Sequence, residues 1–180
     1  MIRLLLLILC IALPANAAEV KRGLTTFDSI AVTNGIPRSS FTGAAARKSQ
    51  ALQTQTIATT GNTDWYMIVP EAGTLASVDC SGIDALATHA SNIITFSITN
   101  LGQAGAGSTA MLAATAANTT TTTTGTALAA NTVRALTLHG TAANLVVASG
   151  DRLLIRAAAG GTLANTVTGF TCTLRFAGTT

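Results

Sequence analysis

Charge is what this chain has least of. Only 9% of its 180 residues are Asp, Glu, Lys or Arg, and only 4% are aromatic, with one Trp and one Tyr. Chains kept disordered by self-repulsion are rich in charge and poor in aliphatic residues, so a content of 48% hydrophobic residues argues for a folded core instead. Residues suited to chemistry are just as scarce. The two histidines, His89 and His139, lie fifty residues apart with no carboxylate at a telling spacing, and no HExxH, CxxC, GxSxG or phosphate-loop glycine pattern occurs. Ser149 or Ser91 can be drawn with His139 and Asp151, but a nucleophile needs a base oriented by an acid, and no motif supplies that context. Asp79 and Asp84 flank the turn Cys80-Ser81-Gly82-Ile83, yet two carboxylates are few for a calcium loop. No catalytic residue, cofactor or metal is therefore expected, and the chain reads as non-enzymatic.

Long apolar runs are missing too. Leu4 to Leu13 is the longest, short of the roughly 20 residues that span a bilayer. With Arg3 before it, Pro14 after it and the small-x-small triplet Ala15-Asn16-Ala17 beyond, residues 1–17 read as a signal peptide, with a buried terminal helix as the alternative. Removal of that segment would leave two cysteines, Cys80 and Cys172. Both lie on inward strand faces by parity, and either a disulfide or two buried thiols fits them.

Thr, Ala and Gly dominate what remains. Thr, Val and Ile are stiff at χ1, which suits a pleated surface better than a helix. Residues 18–50 show no sustained period and read as an arm or linker, with one helical turn allowed at Ala44 to Lys48. From Ala51 onward, short strands separated by turn residues are expected at Leu52–Ile57, Trp65–Val69, Thr74–Cys80, Asn92–Asn100, Val133–His139, Leu145–Ala148, Arg152–Ala157 and Gly169–Phe176. The alternation puts Ile94, Phe96 and Ile98 on one face, and Leu153 and Ile155 inward. It groups Arg134, Leu136 and Leu138, sets Ala76 with Val78 and Cys80, and aligns Cys172 with Leu174 and Phe176. Trp65 and Tyr66 are adjacent and so face opposite ways. About eight strands without a long helical pattern give an all-β chain, an antiparallel β-sandwich with jelly-roll-like connections, over residues 51–180. One stretch is low-complexity: from Ser108 to Thr132, 18 of 25 residues are Thr or Ala, including six successive threonines from Thr119. It reads as a long connection carrying a short strand near Ala110 to Ala114.

The few charges are unevenly placed. Lys21, Arg22, Arg38, Arg47 and Lys48 outnumber Glu19 and Asp28 in residues 18–50, whereas acids slightly outnumber bases beyond. A basic arm on a near-neutral body suits docking on an acidic protein neighbour. No nucleic-acid partner is expected, because the cations are spread out and no aromatics interleave them.

Four segments carry a resemblance: Met67-Ile68-Val69-Pro70-Glu71-Ala72-Gly73-Thr74-Leu75, the strand Ile93 to Asn100, the turn Ala148-Ser149-Gly150-Asp151-Arg152-Leu153, and Gly161 to Gly169 before a terminal strand. Together they make the stretch from Trp65 to Phe176 resemble the small jelly-roll head-decoration, or cement, proteins of tailed bacteriophages. The resemblance implies a structural virion protein that sits on a capsid lattice as a homo-oligomer, commonly a trimer, and reinforces subunit junctions through its arm and loops. The signal-like start departs from that pattern, since capsid proteins assemble without export. It points to the alternative of a secreted or periplasmic binding module, an adhesin or carbohydrate-binding sandwich, with Trp65 or Tyr66 stacking on a glycan.

Overall fold

The structure is a computed structural model and describes residues 47–178. The signal-like segment, and Lys21, Arg22 and Arg38 of the arm, lie outside the described residues. Ten strands follow in order: β1 (Arg47–Ala51), β2 (Gln55–Ile57), β3 (Gly61–Ile68), β4 (Gly73–Ser81), β5 (Ile93–Asn100), β6 (Thr109–Ala110), β7 (Arg134–Ala135), β8 (Val146–Val147), β9 (Arg152–Gly160) and β10 (Val167–Gly178). Two short 3-10 turns, Ala116–Asn118 and Ala142–Leu145, are the helical elements among the described residues.

Every strand pairing is antiparallel, and the strands form two sheets. One runs β1-β10-β4-β7, with β2 also on β10 and β8 also on β4; the other runs β3-β9-β5-β6. The expected all-β, antiparallel architecture is therefore present, with ten strands in place of about eight. Alternation decides which face is buried. Ile94, Phe96 and Ile98 of β5, Trp65 and Met67 of β3, and Leu153, Ile155 and Ala157 of β9 are buried with Val78, Phe170, Leu174 and Phe176 of the other sheet in one core. Phe170 sits where the sheets meet. Its ring stacks on Phe96 at 5.5 Å between centroids and lies tilted against Trp65 at 5.7 Å.

Three expectations need correction. Arg47 to Gln50 belong to the sheet rather than to the arm: β1 pairs with β10 from Arg47↔Ala177 to Ala51↔Thr173, so Arg47 and Lys48 begin a strand, not a helical turn. Of the run expected as one strand at Leu52–Ile57 only Gln55–Ile57 is strand, β2, with residues 52–54 breaking it from β1. Both pair with β10, whose own register shifts between Val167 and Phe170 around Gly169, at φ +59°. Only glycine adopts that backbone freely, and a Cβ there would fall 2.4 Å from Ile83 Cδ1. Lastly, Ala76 does not share the inward face of Val78 and Cys80. The β4–β10 register passes from Arg175↔Ser77 to Phe176↔Leu75, leaving Ala76 as an extra, exposed residue. This β-bulge turns Leu75 inward in its place.

Candidate functional site

The adjacent aromatics end on opposite faces of β3. Trp65 is 3% exposed, and its indole N–H donates to the Gln53 carbonyl at 2.9 Å. A buried Trp65 has no face to offer a glycan, and its N–H is satisfied as a buried indole requires. Tyr66 is 61% exposed and Ile68, two residues on, is 66% exposed. Register with β9 sets Asp64 beside Arg156, Tyr66 beside Leu154 and Ile68 beside Arg152, while β5 brings Ser97 and Thr99 up to Arg156 and Leu154. The outer face of this sheet is thus a ribbon of Tyr66, Ile68 and Leu154 bordered by charge and hydroxyls. Its one fixed polar feature is a two-pronged ion pair: Arg156 Nε donates to Asp64 Oδ1 and Nη2 to Oδ2, both at 2.7 Å. The guanidinium holds the Asp64 carboxyl below its ordinary pKa, and the carboxylate raises that of Arg156.

The low-complexity stretch is built differently from an open loop. It runs beside β5 and is pinned by three buried polar side chains. Thr120 accepts the Ile94 N–H on its hydroxyl oxygen at 2.8 Å. The Asn118 amide donates to the Ala113 and Thr137 carbonyls and accepts the Thr137 N–H. Arg134 reaches in from β7, donating through Nη1 to the Thr126 carbonyl and through Nη2 to those of Ala117 and Thr119. Its guanidinium carbon lies 5.2 Å from the centre of the Phe96 ring. Burial pushes the Arg134 pKa down, and its Nε is buried with no partner among the described residues. These pins leave Thr122, Thr123 and Thr124 exposed at the tip. A shallow groove of about 340 Å³ lies between the loop and β5, lined by Thr95, Ser97, Thr99, Leu112 and Asn118. The grouping of Arg134 with Leu136 and Leu138 was a signal that this arginine turns inward; nothing marks Asn118 or Thr120 among identical neighbours.

Cys80 and Cys172 face each other in register across β4 and β10 and are joined as a disulfide. The other polar candidates are occupied locally. His89 Nδ1 accepts the Ser91 and Asn92 N–H groups, and His139 Nδ1 accepts that of Thr141. Asp151 accepts from the Asn100 amide and the Ala148 N–H, and the Ser149 hydroxyl donates to the Pro70 carbonyl, so the drawn triad is not brought together. Asp79 pairs with Arg175, while Asp84 accepts from the Thr168 N–H and hydroxyl, which lower its pKa. No cluster of three or more His, Cys, Asp or Glu able to hold a metal occurs among the described residues. In comparisons with known proteins, no family model, curated protein or solved structure matches the chain.

Proposed function

We propose that this is a non-enzymatic, structural jelly-roll protein of the virion-decoration kind, docking on a capsid lattice as a symmetric oligomer. The observation that carries the reading is a nested order of pairing. β1 pairs with β10, β3 with β9, β4 with β7 and β8, and β5 with β6. Counting β1 with β2, and β7 with β8, as single broken strands, this is the order of one long hairpin rolled into two facing four-stranded sheets. That order supports reading the fold as the double Greek key of a jelly roll, a scaffold used by capsid and lectin domains alike. A function does not follow from a scaffold alone. The capsid reading adds the cations Lys21, Arg22 and Arg38 ahead of the sheet and Arg47 and Lys48 at the start of β1, and an outer face that presents apolar side chains rather than a lined, polar pocket.

The test is intact mass and particle association of the protein from its native source. A full-length chain recovered in virion particles, and released from them when residues 18–46 are deleted without loss of cooperative unfolding, is the expected result. A chain cleaved after Ala17, so that it begins at Ala18, and absent from particles overturns it. That second outcome would favour the exported binding module, which one observation supports: the Cys80–Cys172 bond belongs to oxidising compartments. Under that reading Tyr66, and not Trp65, is the aromatic a glycan would meet.

A further inference from the structure

Among the described residues, no strand pairs with one edge of β3. The Val69 N–H bonds to the Asp151 carbonyl and the Val69 carbonyl accepts the Gly150 N–H, both on the β9 side. Because backbone groups alternate along a strand, the even-numbered residues Asp64, Tyr66 and Ile68 aim theirs away from β9. The Gln55 amide, donating to the Asp64 carbonyl at 3.3 Å, confirms that direction and covers that position. At the other end Pro70 has no N–H to give. Between these stops, no hydrogen bond among the described residues reaches the outward N–H and C=O groups of Tyr66 and Ile68.

The sheet edges are β1 with β2, β7 with β8, β3 and β6, of which β2 is three residues long and β8 two. β6 and β7 are two residues long, and β1 exposes Ser49 and Gln50. Among the described strands, β3 presents a long edge whose exposed side chains are large and apolar, the combination proteins normally blunt with charge, proline or a cover. We propose that this edge is a self-pairing site, where a second copy of the chain adds its own β3 antiparallel across a two-fold axis through Met67. The occupant follows from the register. A pairing that uses both bare residues joins Tyr66 of one copy to Ile68 of the other, and symmetry makes the reciprocal pair. It closes four backbone hydrogen bonds, sets a tyrosine ring beside a β-branched chain twice, and ends at Gln55 and Pro70. Trp65 to Val69 contains no charged residue, so no like charges meet across the axis. The contact is short beside the roughly 1,200 Å² that stable complexes bury, so it is weak in dilute solution and strengthens when copies are held side by side. It stands apart from the virion reading and holds for an exported module equally.

The test uses the full chain in sedimentation velocity from micromolar to millimolar concentration. A reversible monomer–dimer equilibrium is expected. Ile68→Lys, which puts charge on the edge, and Ile68→Pro, which removes one outward N–H, should each weaken it by about tenfold or more. The Ile68 side chain is exposed, so unchanged thermal midpoints are the control for folding. Register is read by cysteine pairing in a Cys10→Ser background. Mixing Tyr66→Cys chains with Ile68→Cys chains should give a mixed disulfide dimer under mild oxidation, and neither chain alone should link to itself. A monomer at all concentrations, a dimer indifferent to Ile68→Pro, or Tyr66→Cys chains that link to each other would overturn the proposal.

Discussion

Arg134 spends its donors on carbonyls rather than on a carboxylate, and that fixes what its loss would do. Arg134→Met keeps the stem over Phe96 but strands the carbonyls of Ala117, Thr119 and Thr126, which the guanidinium now serves. Charged hydrogen bonds of this kind support a loss of about 3 kcal/mol or more in urea unfolding. Hydrogen exchange should speed up at Ala116 to Thr126 before it does so in β5. Arg134→Lys should recover only part, because an ammonium cannot reproduce a planar fork pointing two ways. The Asp64–Arg156 pair is a smaller, pH-dependent matter. The Asp64 pKa is lowered in the folded state, so its contribution is complete above the unfolded carboxyl value and disappears as pH falls through the folded one. Arg156 and Asp64 keep solvent contact, at 36% and 25% respectively, which limits the pair to about 0.5–1 kcal/mol. Thermal midpoints of the wild type and Asp64→Asn should differ at neutral pH and converge as the pH drops below about 4. At this scale adjacency already put Trp65 and Tyr66 on opposite faces, but which one turned inward depended on the phase of β3 against β9.

Elements differ in how much of themselves they write into the chain. Strand β5 was legible because both its faces have neighbours: Ile94, Phe96 and Ile98 inward, Thr95 and Ser97 outward. Strand β1 was not, since an edge strand of Arg-Lys-Ser-Gln-Ala buries no alternating apolar row and is held by its pairing with β10. The six threonines hid their roles for another reason. Thr120 is buried and Thr122 exposed, and only their distance from the Asn118 and Arg134 pins separates them. The bulge at Ala76 was equally silent, because a bulge is a mismatch between two strands and neither strand states it alone. It does make a sharp prediction. Deleting Ala76 should restore simple alternation with Leu75 and Val78 still inward, at a loss of about 1 kcal/mol. Deleting Ser97, in regular pairing with Arg156, should put Phe96 and Ile98 on opposite faces and leave no cooperative transition in calorimetry.

Taken whole, the molecule is held along its middle by one covalent tie between β4 and β10. The cysteines are 92 residues apart in sequence, and a loop of that size corresponds to roughly 4–5 kcal/mol in the chain-entropy account. Cys80→Ala with Cys172→Ala should lower the guanidinium midpoint markedly, and reductant should shift the wild type toward the variant while leaving the variant unmoved. The same strand has a consequence for how the protein is made. β10 is the shared partner of β1, β2 and β4, and it is the last strand of the series to leave the ribosome. Synthesis outruns folding for this sheet: β1 and β2 wait unpaired, and β4 waits along one of its edges, for a closing segment of twelve residues. A stalled or clipped product lacking that segment loses partners for half of its longer sheet at once. It becomes a substrate for chaperones and proteases instead of a slightly shorter working copy, so β10 acts as a check that this sheet has closed.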